Sequence, residues 1–69
     1  MIDAKVIGQR LANLREKTQK TGEEVAKACG ISRSALTMYE TGGRIPRDEI
    51  KLRLAFYYGV PVDQLFYTF

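Results

Sequence analysis

The sequence predicts an all-α fold of five short helices. Three observations carry that prediction. Apolar residues recur three and four positions apart in successive segments, the period of a helix with one buried face. The segments open on residues suited to helix starts or close on glycine. No stretch alternates apolar and polar residues for long enough to compete as a strand.

Asp3 is the N-cap of a first helix running from about Ala4 to Thr18, with Ala4, Ile7, Leu11, Leu14 and Thr18 on one stripe. "TGEE" then supplies a capping box, Thr21 at the N-cap and Glu24 three residues on. The second helix buries Val25, Ala26 and Cys29 and stops at Gly30, which tolerates a positive φ. Ser32 caps a third helix from Arg33 to Thr41, and "TGG" ends it. "RIPR" is a turn, because Pro46 disfavours helix at Ile45. A fourth helix begins at Arg47 or Asp48 and ends at Tyr58, where Gly59 closes it. Pro61 suits the first position of a short fifth helix, Val62 to Phe66.

Composition narrows the function classes. A chain of 69 residues holds a single domain, 1–69, that buries only about 60% of its unfolded surface. One cysteine forms no internal disulfide, and without a CxxC pair no metal site is expected, which fits a reducing, cytoplasmic location. "MIDAKVIGQR" lacks the apolar centre of a signal peptide, and no apolar run approaches the ~18 residues of a membrane span. Histidine, the commonest general base, is absent, and Cys29 lies on a packed face. "TGG" lacks the surroundings of a phosphate loop. The expectation is therefore no catalysis, no cofactor and no small-molecule substrate. Net charge is +3, compatible with a nucleic-acid partner without establishing one. The cations cluster: residues 1–20 carry five against two carboxylates, and residues 31–47 carry three against one.

Helices two and three are separated by only Gly30, Ile31 and Ser32, which is helix-turn-helix spacing. So tight a crossing needs a small residue at the contact, here Ala26. It needs a residue free to leave the helix, here Gly30. It also needs apolar contacts from both helices and the turn, here Val25, Cys29, Ile31, Leu36 and Tyr39. With all of these in register, the chain resembles the phage-repressor-like (Cro/CI, XRE) helix-turn-helix family. "IGQRLANLREKT" resembles its first helix, "TGEEVAKACGISRSALTMYETGG" its central motif and "IPRDEIKLRLAFYYGVPVDQLF" its closing pair. The ending Tyr39, Glu40, x, Gly42 is one of the family's more specific marks. The resemblance implies a sequence-specific regulator of transcription that binds double-stranded DNA, usually as a dimer on a near-palindromic operator, with repression the expected sense. It also implies a partly buried ion pair between Arg15 and Glu40.

The third helix has a lopsided design. Ala35, Leu36 and Tyr39 share one face; Arg33, Ser34, Thr37 and Thr41 share the other, with Met38 at its margin. Arg33 sits in the first turn, where a cation opposes the helix dipole at a cost of about 0.3–1 kcal/mol. A helix whose first half enters the major groove accounts for it, because arginine reaches guanine O6 and N7 with two hydrogen bonds. Small neighbours allow close approach, so Arg33, Ser34, Thr37 and Met38 are the candidate base readers. Thr21 and Gly22 at the start of the second helix, and Arg47, are candidate phosphate-backbone contacts, with Lys20 a further one; the resemblance adds Thr41, Gly43 and Arg44, which match positions that touch backbone or minor groove in relatives. Relatives usually carry glutamine at the place of Gly22. Here either the main-chain N–H takes over or the clamp is weaker.

The fourth helix is apolar nearly all round. Ile50, Leu54 and Tyr58, with Ala55 beside them, suffice for the core, so Leu52 and Phe56 point elsewhere. Relatives commonly dimerise through the turn between the last two helices and the last helix itself. Pro61, Val62, Phe66 and Phe69, with Phe56, are therefore the candidate homodimer interface, unless these aromatics only complete the core. The rival function is a protein-interaction module on the same scaffold, an antirepressor or antitoxin-like partner binder. Such a module favours apolar residues where Arg33, Ser34 and Thr37 stand.

Overall fold

A computed structural model describes residues 2–69 as five helices: α1 (Ala4–Lys17), α2 (Gly22–Cys29), α3 (Arg33–Thr41), α4 (Asp48–Tyr58) and α5 (Val62–Phe66). No strand occurs among the described residues. The caps explain the boundaries. The Asp3 carboxylate accepts from the Lys5 and Val6 amides. Thr21 and Glu24 close the full capping box, at 3.1 and 3.0 Å. The Ser32 hydroxyl accepts from the Ala35 amide. Gly30 takes φ +68°, and the Ile31 amide then reaches back to the Ala26 carbonyl at 3.0 Å, turning the chain between α2 and α3. Two ends differ by one residue from the sequence reading. Thr18 is the C-cap of α1 rather than its last residue, and Pro61 precedes α5, with an extended ψ of 138°.

The core draws on every helix: Ile7 and Leu11; Val25, Ala26 and Cys29; Leu36 and Tyr39; Ile50, Leu54 and Ala55; Leu65 and Phe66. α3 packs against both α1 and α2, α4 bridges α2 and α5, and α5 closes back on α1. Thr18 is exposed, contrary to its place on the predicted stripe: it is the C-cap of α1, where its hydroxyl donates to the Leu14 carbonyl. At the α1–α3 crossing Gly8 is buried. A Cβ there would lie 2.5 Å from the Glu40 carbonyl oxygen and 2.8 Å from that of Tyr39. The two backbones meet at that point, so α3 is held at a distance only a glycine allows.

Phe66 corrects an expectation. Its side chain is fully buried in this chain's own core, so it offers no surface to a partner. Burying a phenylalanine contributes about 1.5–3 kcal/mol, which a domain this small uses internally. Lys51 accompanies it at 6% exposure, its ammonium 3.0 Å from the Tyr67 hydroxyl and above the Phe66 and Tyr67 rings. Across the molecule, the Arg10 guanidinium donates to the carbonyls of Gln64, Leu65 and Thr68 and stacks on the Phe69 ring. Phe69 thus has a contact within the chain while staying half exposed.

Candidate nucleic-acid interface

The α2–turn–α3 unit turns one face of α3 inward and one outward. Leu36 and Tyr39 are buried and Ala35 partly so; Arg33, Ser34, Thr37, Met38 and Thr41 are exposed. All four candidate base readers therefore lie on the solvent side of one short helix.

The last turn of α3 is tied to α1 by charge. Arg15 meets Glu40 in a two-pronged contact, Nε to Oε2 at 2.9 Å and Nη2 to Oε1 at 3.1 Å. The Glu40 side chain is 9% exposed and that of Arg15 24%, so the pair is partly buried. Its hydrogen bond to the Glu40 carboxylate pushes the Arg15 guanidinium up from its already high ordinary value, keeping it charged. Such pairs hold orientation more reliably than they add stability. Here the pair and the Gly8 contact act on one crossing and set the angle at which α3 is presented.

The hydroxyls on the outer face divide by what they already do. Thr37 Oγ1 donates to the Arg33 carbonyl at 3.1 Å and accepts from Arg33 Nη1 at 2.6 Å. Thr41 Oγ1 donates to the Thr37 carbonyl at 2.9 Å. With their protons engaged, both hydroxyls have only acceptor capacity left for a ligand. Ser34 makes no side-chain hydrogen bond among the described residues, so its hydroxyl is free to donate or accept.

The candidate phosphate contacts lie at helix ends. Thr21 lies exposed at the start of α2, and Thr41, Gly43, Arg44 and Arg47 lie exposed from the end of α3 to the start of α4. Ion pairs among the described residues are Arg15–Glu40, Lys51–Asp48 and Arg53–Glu49, which leave Arg33, Arg44 and Arg47 without a carboxylate partner. The Gly43 and Arg44 amides both donate to the Met38 carbonyl, at 2.9 and 3.2 Å, so neither is open to an outside anion. Met38 itself lies over Gly43, its Cε 2.8 Å from where a Cβ would sit.

Gly22 departs from expectation. Its main chain is buried, because the Arg33 guanidinium covers it: a Cβ at this position would fall 2.4 Å from Cζ. Sequence reasoning missed this contact. The available signal was a glycine in the first position of one helix and an arginine in the first position of the next, on motifs whose crossing brings those ends together.

The chain has counterparts among known proteins. The family model described as "Helix-turn-helix domain" matches residues 6–65. The cryptic phage CTXphi transcriptional repressor RstR of Vibrio cholerae is 32% identical over 60 residues, covering 87% of this chain and 54% of that protein. This chain thus spans about half the length of that curated relative. The restriction-modification controller protein C.AhdI from Aeromonas hydrophila superposes with a TM-score of 0.86 at 31% identity, covering 93% of this chain and 97% of that one. The clp gene regulator ClgR from C. glutamicum shares the fold, with a TM-score of 0.81 at 22% identity over 90% of this chain and 80% of that one. With its five-helix order, its glycine-turned α2–α3 unit and its Arg15–Glu40 tie, the chain belongs to the helix-turn-helix domain family, in the phage-repressor-like (Cro/CI, XRE) class.

Proposed function

We propose that this protein is a sequence-specific regulator of transcription, repressing in sense, that places the first half of α3 in the major groove of double-stranded DNA. The observation that carries the reading is the outward face of α3. A guanidinium without a carboxylate partner stands at the positive end of a helix, among small polar side chains. That arrangement brings the fold no electrostatic benefit and suits base edges. In this reading Arg33, Ser34, Thr37 and Met38 contact bases. Thr21, Arg44 and Arg47 offer side-chain donors to the sugar–phosphate rim, beside Thr41 and Gly43, whose own donors are engaged within the chain, and Gly22 serves beneath Arg33. The roles of RstR, a phage transcriptional repressor, and C.AhdI, a restriction-modification controller, agree with a regulator. The role implies a cytoplasmic location.

The working form in this reading is a symmetric homodimer. Phe66 being internal, the proposed contact uses Pro61, Val62 and Phe69, extended by Phe56 and Leu52, which are 89% and 58% exposed on neighbouring turns of α4. Apolar side chains that open on a domain this small suit a second copy. Two recognition helices would then lie about 34 Å apart, one turn of DNA.

Selection from random duplex DNA tests the whole reading, since it returns half-site sequence and spacing together. The expected product is an inverted repeat with half-site centres about 10 base pairs apart. Log affinity for it should fall linearly with log salt, with a slope of about −4 or steeper for a dimer neutralising several phosphates. No enriched sequence, or a flat salt response, refutes DNA reading. A species that sediments as a monomer both free and on DNA refutes the dimer.

A further inference from the structure

Gly22 is the first residue of α2, and its φ lies outside the left-handed region taken by Gly30, Gly42 and Gly59. No backbone demand explains a glycine there. Glycine even weakens a helix relative to alanine. Space explains it. A Cβ on residue 22 would fall 2.4 Å from Arg33 Cζ, 2.5 Å from Nε and 2.8 Å from Nη2. Three atoms of one planar group at nearly equal range mean that the group presents its face to the Gly22 Cα. The remaining nitrogen, Nη1, donates to Thr37 Oγ1 at 2.6 Å, and that hydroxyl is fixed in turn on the Arg33 carbonyl. The guanidinium is thus held from two sides, a bare floor on α2 and a hook one turn along α3.

The position brings no electrostatic benefit to the fold. The cation lies against the start of α2, where the helix dipole is positive, and no carboxylate partner offsets it among the described residues.

We propose that Gly22 is a positioning residue for Arg33: by lacking a side chain it seats the guanidinium, and with Thr37 it restricts Arg33 to one pose before DNA arrives. The proposal rests on the reading of Arg33 as a base contact. A long side chain already restricted loses less freedom on binding, which corresponds to about two- to twelvefold in affinity for the correct base. Four guanidinium N–H donors remain free for the ligand after the Thr37 bond.

Equilibrium binding to a panel of duplexes, varied one base pair at a time across the selected half-site, tests this. The proteins compared are the parent, Gly22→Ala, Arg33→Ala and the double variant, each melted separately. The three atoms nearest the new methyl all belong to the far end of the flexible Arg33 side chain, so Gly22→Ala should melt at or above the parent. Its discrimination should fall about two- to twelvefold at the one position where Arg33→Ala loses it, with other positions unchanged. The double variant should be no worse than Arg33→Ala alone. Full discrimination retained in Gly22→Ala, or losses that add in the double variant, overturn the seat while leaving the role of Arg33 intact. A melting point well below the parent overturns it too, because the glycine would then serve the fold. If Arg33→Ala changes no base preference, the base-contact reading fails and the proposal with it.

Discussion

Replacing Gly8 with alanine sets two effects of opposite sign against each other. Alanine is the better helix former by about 0.8–1 kcal/mol in a helix interior, so propensity alone predicts a more stable protein. The α1–α3 crossing predicts the reverse. The new methyl would sit 2.5 Å from the Glu40 carbonyl oxygen, 2.8 Å from that of Tyr39 and 2.9 Å from the Glu40 carbonyl carbon. Ordinary contact begins at 3.4 Å, so the closest pair must open by about 0.9 Å, the difference from 2.5 Å. Every one of these atoms is backbone, and none can rotate away. The helices must separate, loosening Ile7 and Leu11 against Leu36 and Tyr39 and stretching the Arg15–Glu40 pair. Overpacking of a filled site costs about 1–3 kcal/mol, and unyielding backbone neighbours put this site in the upper part of that range, about 2–3 kcal/mol. Net of propensity, the expected loss is about 1–2 kcal/mol, or about 4–16 °C in Tm for a domain of this size. Thermal melts followed by circular dichroism measure it. An unchanged or raised Tm would mean that the crossing yields freely and that Gly8 does not set the position of α3.

Glu40→Gln should destabilise by about 1–3 kcal/mol, less than for a fully buried pair because water reaches Arg15, and urea midpoints check it; an unaltered midpoint would remove the pair from the account of α3. Gln19 holds φ +56° in the turn after α1, so Gln19→Gly should gain about 0.5–1 kcal/mol and raise Tm by about 2–8 °C, whereas a drop would show that its side chain matters more than its backbone. Burial pushes the Cys29 thiol up and the Tyr58 phenol far above its ordinary range. The native state therefore keeps protons that the unfolded chain releases, and stability should fall as pH rises, from about pH 8.5 for Cys29 and from about pH 10 for Tyr58. Urea midpoints across that range should decline in the parent and flatten between about pH 8.5 and 10 in Cys29→Ala; equal slopes in the two proteins contradict it.

The candidate site was legible wherever its signal was local. Which α3 residues face outward follows from helical period alone, so Arg33, Ser34, Thr37 and Met38 could be read directly. Of the candidate phosphate contacts, Thr21 was read from a helix start and Arg47 from its charge, whereas Thr41, Gly43 and Arg44 came from the family resemblance. The pose of Arg33 over Gly22 was not, because the two residues come together only through the crossing of α2 and α3. Phe66 shows the same limit from the other side. An aromatic near a chain's last helix reads equally well as core or as contact surface, and only the closure of α5 onto α1 and α4 assigns it to the interior.

Chain order by itself determined the helices, their caps, the glycine-turned α2–α3 pair and the polar face of α3, since each depends on neighbours within about four residues. Tertiary structure alone decided that Gly8 is a backbone contact, that Lys51 is buried between aromatic rings, that Phe66 is internal and that Arg33 rests on Gly22. Those facts depend on how helices cross, and a crossing is set by the fit of side chains distant in sequence, which no local pattern encodes.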